Sequence, residues 1–206
     1  MTASSVGTWV VGISIFLMTV TLHEVAHGAV AFVFGDLTAK ERGRLTLNPL
    51  KHIDWFWTVL FPVMLFVSTG GRFAMGMAKP VPVDFRKLHR PKRDMILVAI
   101  AGPLANLVFA GFLLAALHVI PHPVLLLGVY FNLGLCVFNL LPIPPLDGSR
   151  VVAGLLPEPF DRGYLGLEPY GFLIVLALYF TGLLYAWLIP GINLLANMLH
   201  VPELRL

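Results

Sequence analysis

Two histidines and a glutamate interrupt an apolar run that extends over about residues 6–34, in the order Leu22-His23-Glu24-Val25-Ala26-His27-Gly28. At ~1.5 Å per residue a helix over this run exceeds the ~30 Å hydrocarbon core of a bilayer. Ionisable side chains in such a span are costly unless they pair or bind something. On a helix His23 and His27 lie one turn apart on the same face. That spacing suits two imidazoles on one zinc ion, with Glu24 beside them as a general base. The competing reading is a chance match, two packed histidines and a glutamate paired elsewhere. It is the weaker one here, because it leaves a buried carboxylate in an otherwise uncharged span to be explained.

The remainder of the chain fits a membrane setting. Of 206 residues, 58% are hydrophobic and 12% charged, against about 25% charged in an average soluble domain. The net charge of +3 does not indicate nucleic acid, because the basic residues sit in loops between apolar runs. Cys136 is the only cysteine, so no intrachain disulfide can form, and its apolar neighbours predict a small packed hydrophobe. Residues 1–5 lack a basic n-region and the first apolar run is too long for a signal-peptide core, so the run is expected to be retained as a span.

Hydropathy predicts an all-α polytopic membrane protein, a helical bundle with four clear spans at 6–34, 95–120, 124–141 and 170–189. The apolar stretch 55–69 is short and holds Pro62, so it reads as a short span or a re-entrant segment. Small membrane-associated β-strands are expected at 45–47 and 73–83, the second an edge strand or polyproline segment because of Pro80 and Pro82. Pro190-Gly191 is expected to break the last span ahead of an interfacial helix over 192–201. The 206 residues read as one integral membrane domain with its catalytic core at about 6–152. Eleven of the fourteen lysines and arginines lie between Lys40 and Arg93, four before residue 55 and seven after residue 69. If 55–69 is re-entrant, all eleven face the cytoplasm of a multi-pass cell-membrane protein, with the zinc site towards that side and the N-terminus outside.

A catalytic zinc takes three protein ligands and keeps a fourth position open. Asp147 is the best candidate for the third. Pro142, Pro144 and Pro145 force an extended chain ahead of it, and Gly148 permits a sharp turn behind it. Taken alone, Asp147-Gly148 is more simply a turn; beside a two-histidine motif that lacks a ligand, the metal reading gains. His52, His89, His118 and His200 compete for the role from loops, the far end of a span and the C-terminal region.

Three motifs in this order carry a family resemblance: His23-Glu24-x-x-His27-Gly28, then Ala101-Gly102-Pro103-x-x-Asn106, then Asn139-x-x-Pro142-x-Pro144-x-Leu146-Asp147-Gly148. Together they resemble the site-2 protease family of intramembrane zinc metalloproteases. Gly35-Asp36-x-x-Ala39-Lys40 and Lys79-Pro80-Val81-Pro82-Val83 are similar to its compact prokaryotic members, which lack a PDZ or CBS domain. The resemblance implies one Zn2+ per chain held by His23, His27 and Asp147, with Glu24 as base. It also implies Asn139 as a contact to substrate or oxyanion, and Asn106 as a second candidate substrate-binding residue. The implied partners are the lipid bilayer and transmembrane protein substrates, cut in or near their membrane segments; self-association into a homo-oligomer is left open. A membrane metal-ion transporter and a non-cleaving pseudoenzyme that binds membrane segments are the competing functions.

Overall fold

The computed structural model describes residues 3–71 and 79–201. Its first helix, α1 (Ala3–Val33), is apolar around its whole circumference, as suits a helix with no solvent face. After it come α2 (Thr38–Glu41), a 3-10 turn (Pro49–His52), and a π-helical turn (Trp55–Leu60) that runs into α3 (Phe61–Ser68). Asp54 starts the π-helical turn by accepting the amide hydrogens of Phe56 and Trp57. The long α4 (Pro91–Val119) begins with proline at its first position, where the missing N–H costs nothing. Asp94, one turn in, accepts from Arg90 N at 2.7 Å and closes the cap. Then follow α5 (Pro123–Asn139), α6 (Asp147–Leu155), α7 (Phe160–Leu165), α8 (Gly171–Phe180) and α9 (Leu183–Met198).

The centre of the bundle is α1, α4 and α5, with α6 laid on α4 and α9 on α5. Because His27 meets Val98 while His23 meets Asn106, α1 and α4 run antiparallel. The end of α5 and the whole of α6 therefore share the end of the bundle where α1 stops. Ala31, Leu88, Met95, Val98 and Ala153 pack that end, while Ala110, Leu113, Val129, Leu133 and Ala196 pack the other. Within lipid such contacts hold by close fit and by polar pairs. One pair is fully buried: Asn132 Nδ2 donates to Thr19 Oγ1 at 2.9 Å and to Gly128 O at 2.8 Å.

The fold departs from the sequence-based expectation in two respects. Among the described residues three helical runs, not four, are long and apolar enough to cross a membrane: Gly7–Val33, Pro91–Val119 and Phe160–Phe180. The expected span 124–141 is the 17-residue α5, ~25 Å long and short of a ~30 Å core, confined between Pro123 and the Pro142 break. The expected span 170–189 is cut at Gly182, whose φ of +77° ends α8 and opens α9. Pro190, expected to break the helix, instead lies inside α9. The second departure is that no β-strand occurs among the described residues. At 45–47 the Thr46 carbonyl is taken by the His52 side chain at 2.9 Å rather than by a strand. In the other expected strand, residues 73–78 lie outside the described residues, and 79–83 has no regular secondary structure. Pro80 and Pro82 have no N–H to give a ladder, and the amides of Val81 and Asp84 go to carboxylate side chains.

Both long excursions return to where they leave. His89 N donates to Phe34 O at 2.9 Å, closing the segment between α1 and α4, and Lys79 N donates to His52 O at 2.9 Å, closing the excursion that contains α3. None of the residues of that apolar helix is buried in the bundle. Asp36 locks the outer closure. It is fully buried and accepts from the amide and hydroxyl of Thr38 and from the amide of Asp84. Burial alone would raise its pKa; those hydrogen bonds and the charge of Lys87 outweigh burial and hold it below the usual carboxylate value.

Two outcomes follow from these closures. Single cysteines at positions 40 and 86, in a Cys136→Ser background, should react with an impermeant reagent from the same side of the membrane. Asp36→Asn should cost about 1–3 kcal/mol of stability at neutral pH, where the wild-type carboxylate is charged. A depressed folded-state pKa stabilises fully above the unfolded value of ~3.9 and is lost as pH falls through the folded value. Thermal melts in detergent should accordingly show the gap between variant and wild type closing below about pH 4.

Candidate active site

Helix α1 turns its two histidines towards α4, and Gly102 lets the helices come that close. A Cβ on Gly102 would stand 2.6 Å from Cε1 of each imidazole. From behind, His27 Nδ1 lies 2.7 Å from the Val98 carbonyl oxygen. A carbonyl only accepts, so Nδ1 carries a proton, and in the neutral ring Nε2 keeps a lone pair. His23 Nδ1 lies 3.0 Å from Asn106 Oδ1, which fixes the same tautomer. The two Nε2 atoms face each other at 3.1 Å.

Asp147 closes the cluster as the first residue of α6. The Pro142–Leu146 segment that delivers it is not the extended chain its prolines predict but a run of tight turns, with Ile143 N donating to Leu141 O and Leu146 N to Ile143 O, both at 2.8 Å. Gly148 allows the restart, since a Cβ there would run into the carbonyls of Leu140 and Leu141. Asp147 Oδ2 lies 3.2 Å from His23 Nε2, and Oδ1 lies 3.3 Å from His27 Nε2. One ligand atom from each residue falls within 4.8 Å of the others. With both ring protons turned away, all of these atoms are acceptors. Consistent with that, Asp147 Oδ2 is buried and meets no hydrogen-bond donor. Converging acceptors in an apolar bundle need a positive charge among them. Two imidazole nitrogens and one carboxylate are a donor set that zinc takes with a fourth position left open. The residues present thus fit a zinc ion.

Glu24 sits beside the histidines, half-buried, and its Oε2 accepts from Val81 N at 2.7 Å. Among the described residues Oε1 has no hydrogen bond. Asn106 is fully buried behind His23 and presents no face to a substrate. Asn139 ends α5, half-buried, with one amide hydrogen on Leu135 O at 3.0 Å. The other histidines stay outside the cluster. His52 bonds to Thr46 O, His89 lies against Gly35, His118 bonds to Leu114 O near the far end of α4, and His200 follows α9. Sequence reasoning did not find three contributors: the Val98 carbonyl, the Gly102 clearance and the Val81 amide. Only Gly102 left a trace, as part of the Ala101-Gly102-Pro103-x-x-Asn106 motif.

Detergent-purified protein should contain close to one zinc per chain by elemental analysis. A His23→Ala, His27→Ala double variant should contain almost none. Gly102→Ala, which pushes on both rings, should lower zinc affinity at least tenfold in a chelator competition.

Three relatives are each named "Putative zinc metalloprotease". YwhC of Bacillus subtilis is 40% identical over 191 residues, covering 86% of this chain and 83% of the relative. Rip2 of Mycolicibacterium smegmatis is 35% identical over 191 residues, covering 89% and 72%. MJ0611 of Methanocaldococcus jannaschii is 29% identical over 167 residues, covering 78% and 82%. No family model and no solved structure matches the chain. The cofactor implied by these relatives is zinc, in agreement with the acceptor cluster at the end of α1. Identity of this degree along most of both chains, with three helical runs among the described residues long and apolar enough to cross a membrane, establishes that it belongs to the site-2 protease family of intramembrane zinc metalloproteases.

Proposed function

We propose that His23, His27 and Asp147 hold one zinc ion and that Glu24 is the general base of a site-2-type endopeptidase. Its substrates would be other membrane proteins, cut in or next to their transmembrane segments. The observation that carries this reading is the convergence of three ligand atoms beside a glutamate with one oxygen tethered and the other without a hydrogen bond among the described residues. Bound there, zinc supplies a Lewis acid that polarises the scissile carbonyl and activates water. Glu24 accepts a proton from the attacking water through Oε1 and returns it to the leaving amine. Val98 O and Asn106 hold the imidazoles so that neither ring turns away from the metal. Asn139 spends one amide hydrogen on Leu135 O and keeps a second for the developing oxyanion. A substrate helix must unwind locally, because its carbonyls are hidden in helical hydrogen bonds.

The orientation that suits this chemistry puts the basic region between α1 and α4 in the cytoplasm. The hydrogen bonds from His89 to Phe34 and from Lys79 to His52 support a re-entrant path for 55–69. Residues 1–206 then act as one protease domain with its catalytic core at about 6–152.

The test separates ligand from base. Glu24→Gln keeps every proposed ligand and should abolish cleavage of a membrane-spanning reporter while holding zinc normally. Asp147→Asn should abolish cleavage and also weaken zinc retention under chelator challenge. Asn139→Ala should keep zinc and slow single-turnover cleavage by ~10²–10³-fold. Wild-type cleavage by Glu24→Gln would refute the role given to Glu24.

A further inference from the structure

We infer that residues 79–84 are a positioning strap for the base. Through the single backbone N–H of Val81 the strap holds Oε2 of Glu24, leaving Oε1 to the reacting water. The inference rests on Glu24 being the base, as proposed above. It concerns how that base is oriented, which neither the metal cluster nor the helix that carries Glu24 determines.

The strap is pinned at both ends by groups that have nothing to do with Glu24. At one end Lys79 N donates to His52 O at 2.9 Å, and Arg44 Nη2 donates to Lys79 O at 2.8 Å. At the other, Asp84 N donates to Oδ2 of the buried Asp36 at 2.7 Å. Between these anchors Val81 is 6% exposed. Its side chain presses on α1 at Gly28, one turn beyond Glu24, where a Cβ would stand 2.7 Å from Val81 Cγ1 and from Leu45 Cδ2. The position of the Val81 amide is therefore set before Glu24 binds it, which is what preorganisation of a catalytic group requires.

The amide inventory of the strap makes the contact selective. Pro80 and Pro82 have no N–H, so Val81 offers the only backbone hydrogen between Lys79 and Val83, and that hydrogen points at the Glu24 carboxylate. This pattern does not suit capture of a substrate by strand addition at 80–82, since an added strand needs donors as well as acceptors along the edge. It does suit a carboxylate that must present one oxygen in a fixed direction. A free glutamate side chain would otherwise sample several rotamers on the face of α1.

The test removes one hydrogen atom. Val81 is replaced by α-hydroxyisovalerate, which turns its amide into an ester with the same side chain, and Val81→Pro removes the same hydrogen in a genetically encoded form. Cleavage of a membrane-spanning reporter is followed in detergent, with zinc content and melting temperature measured on the same preparations. The ester protein should lose about 10–100-fold in kcat, the scale of a hydrogen bond that orients an active group. KM, zinc content and melting temperature should stay within error of wild type, which a merely structural role would not produce. Val81→Ala, which keeps the N–H and loses packing on Gly28, should retain at least tenfold more kcat than the ester. A wild-type kcat in both the ester and Val81→Pro proteins would overturn the inference. So would Val81→Ala as slow as the ester, which would assign the effect to packing, or a faster ester protein, which would make the strap a plug. Glu24→Gln is run in parallel. If it is inactive while the ester protein cuts normally, only the strap inference fails; if it cuts normally, the assignment of the base fails first.

Discussion

The structure depends on one electrostatic constraint: acceptor atoms of three residues aim at a common point inside an apolar bundle. His23 and His27 direct unprotonated nitrogens there because their protons are drawn backwards, towards Asn106 and Val98. Asp147 adds a buried oxygen with no donor. In a low-dielectric interior this arrangement repels itself unless a cation or a proton sits among the three. Zinc would answer that need with a ligand set it commonly takes, and bound there it would act as part of the packing as well as part of the chemistry.

Several features of the fold serve that point. Two histidines can stack against α4 only where α4 has no side chain, which is the task of Gly102. A carboxylate can enter only if the chain leaves α5, turns tightly and restarts as α6, which the proline-rich segment 142–146 and the glycine at 148 arrange. The loops are organised from the same end. Buried Asp36 and the Phe34–His89 hydrogen bond fasten the connection between α1 and α4, and from that fastening a proline-flanked strap reaches Glu24. Rigid anchors behind mobile chemistry are the usual way a protein keeps a site accurate to fractions of an ångström.

The sequence disclosed most about the groups whose placement is local. His23 and His27 share a helix, so their spacing alone predicts a common face. Asp147 is distant in sequence, and was legible because the prolines and glycine around it announce a broken span and because two histidines lack a third ligand. Asn106 was visible as a motif residue and expected near substrate, yet it lies fully buried behind His23; nothing in one sequence says how α4 rotates against α1. The Val98 and Val81 contributions come from backbone atoms, which leave no residue-type signature. Composition also overstated the spans. It registers apolar length but not the left-handed turn at Gly182 or the short reach of α5. Alternation at 45–47 and the prolines near 80 read as strands because both favour extended chain, whereas pairing needs a free partner edge. Here side chains took the hydrogen bonds a ladder would have used.

The most direct test of the account is zinc K-edge X-ray absorption on the purified, detergent-solubilised wild-type protein. Ligation by His23, His27 and Asp147 predicts nearest neighbours that are light atoms at ~2.0–2.2 Å, with more distant scattering from two imidazoles and no sulfur. Sulfur scattering, or a fit demanding three or four imidazoles, would contradict the assignment of His23, His27 and Asp147 as the protein ligands.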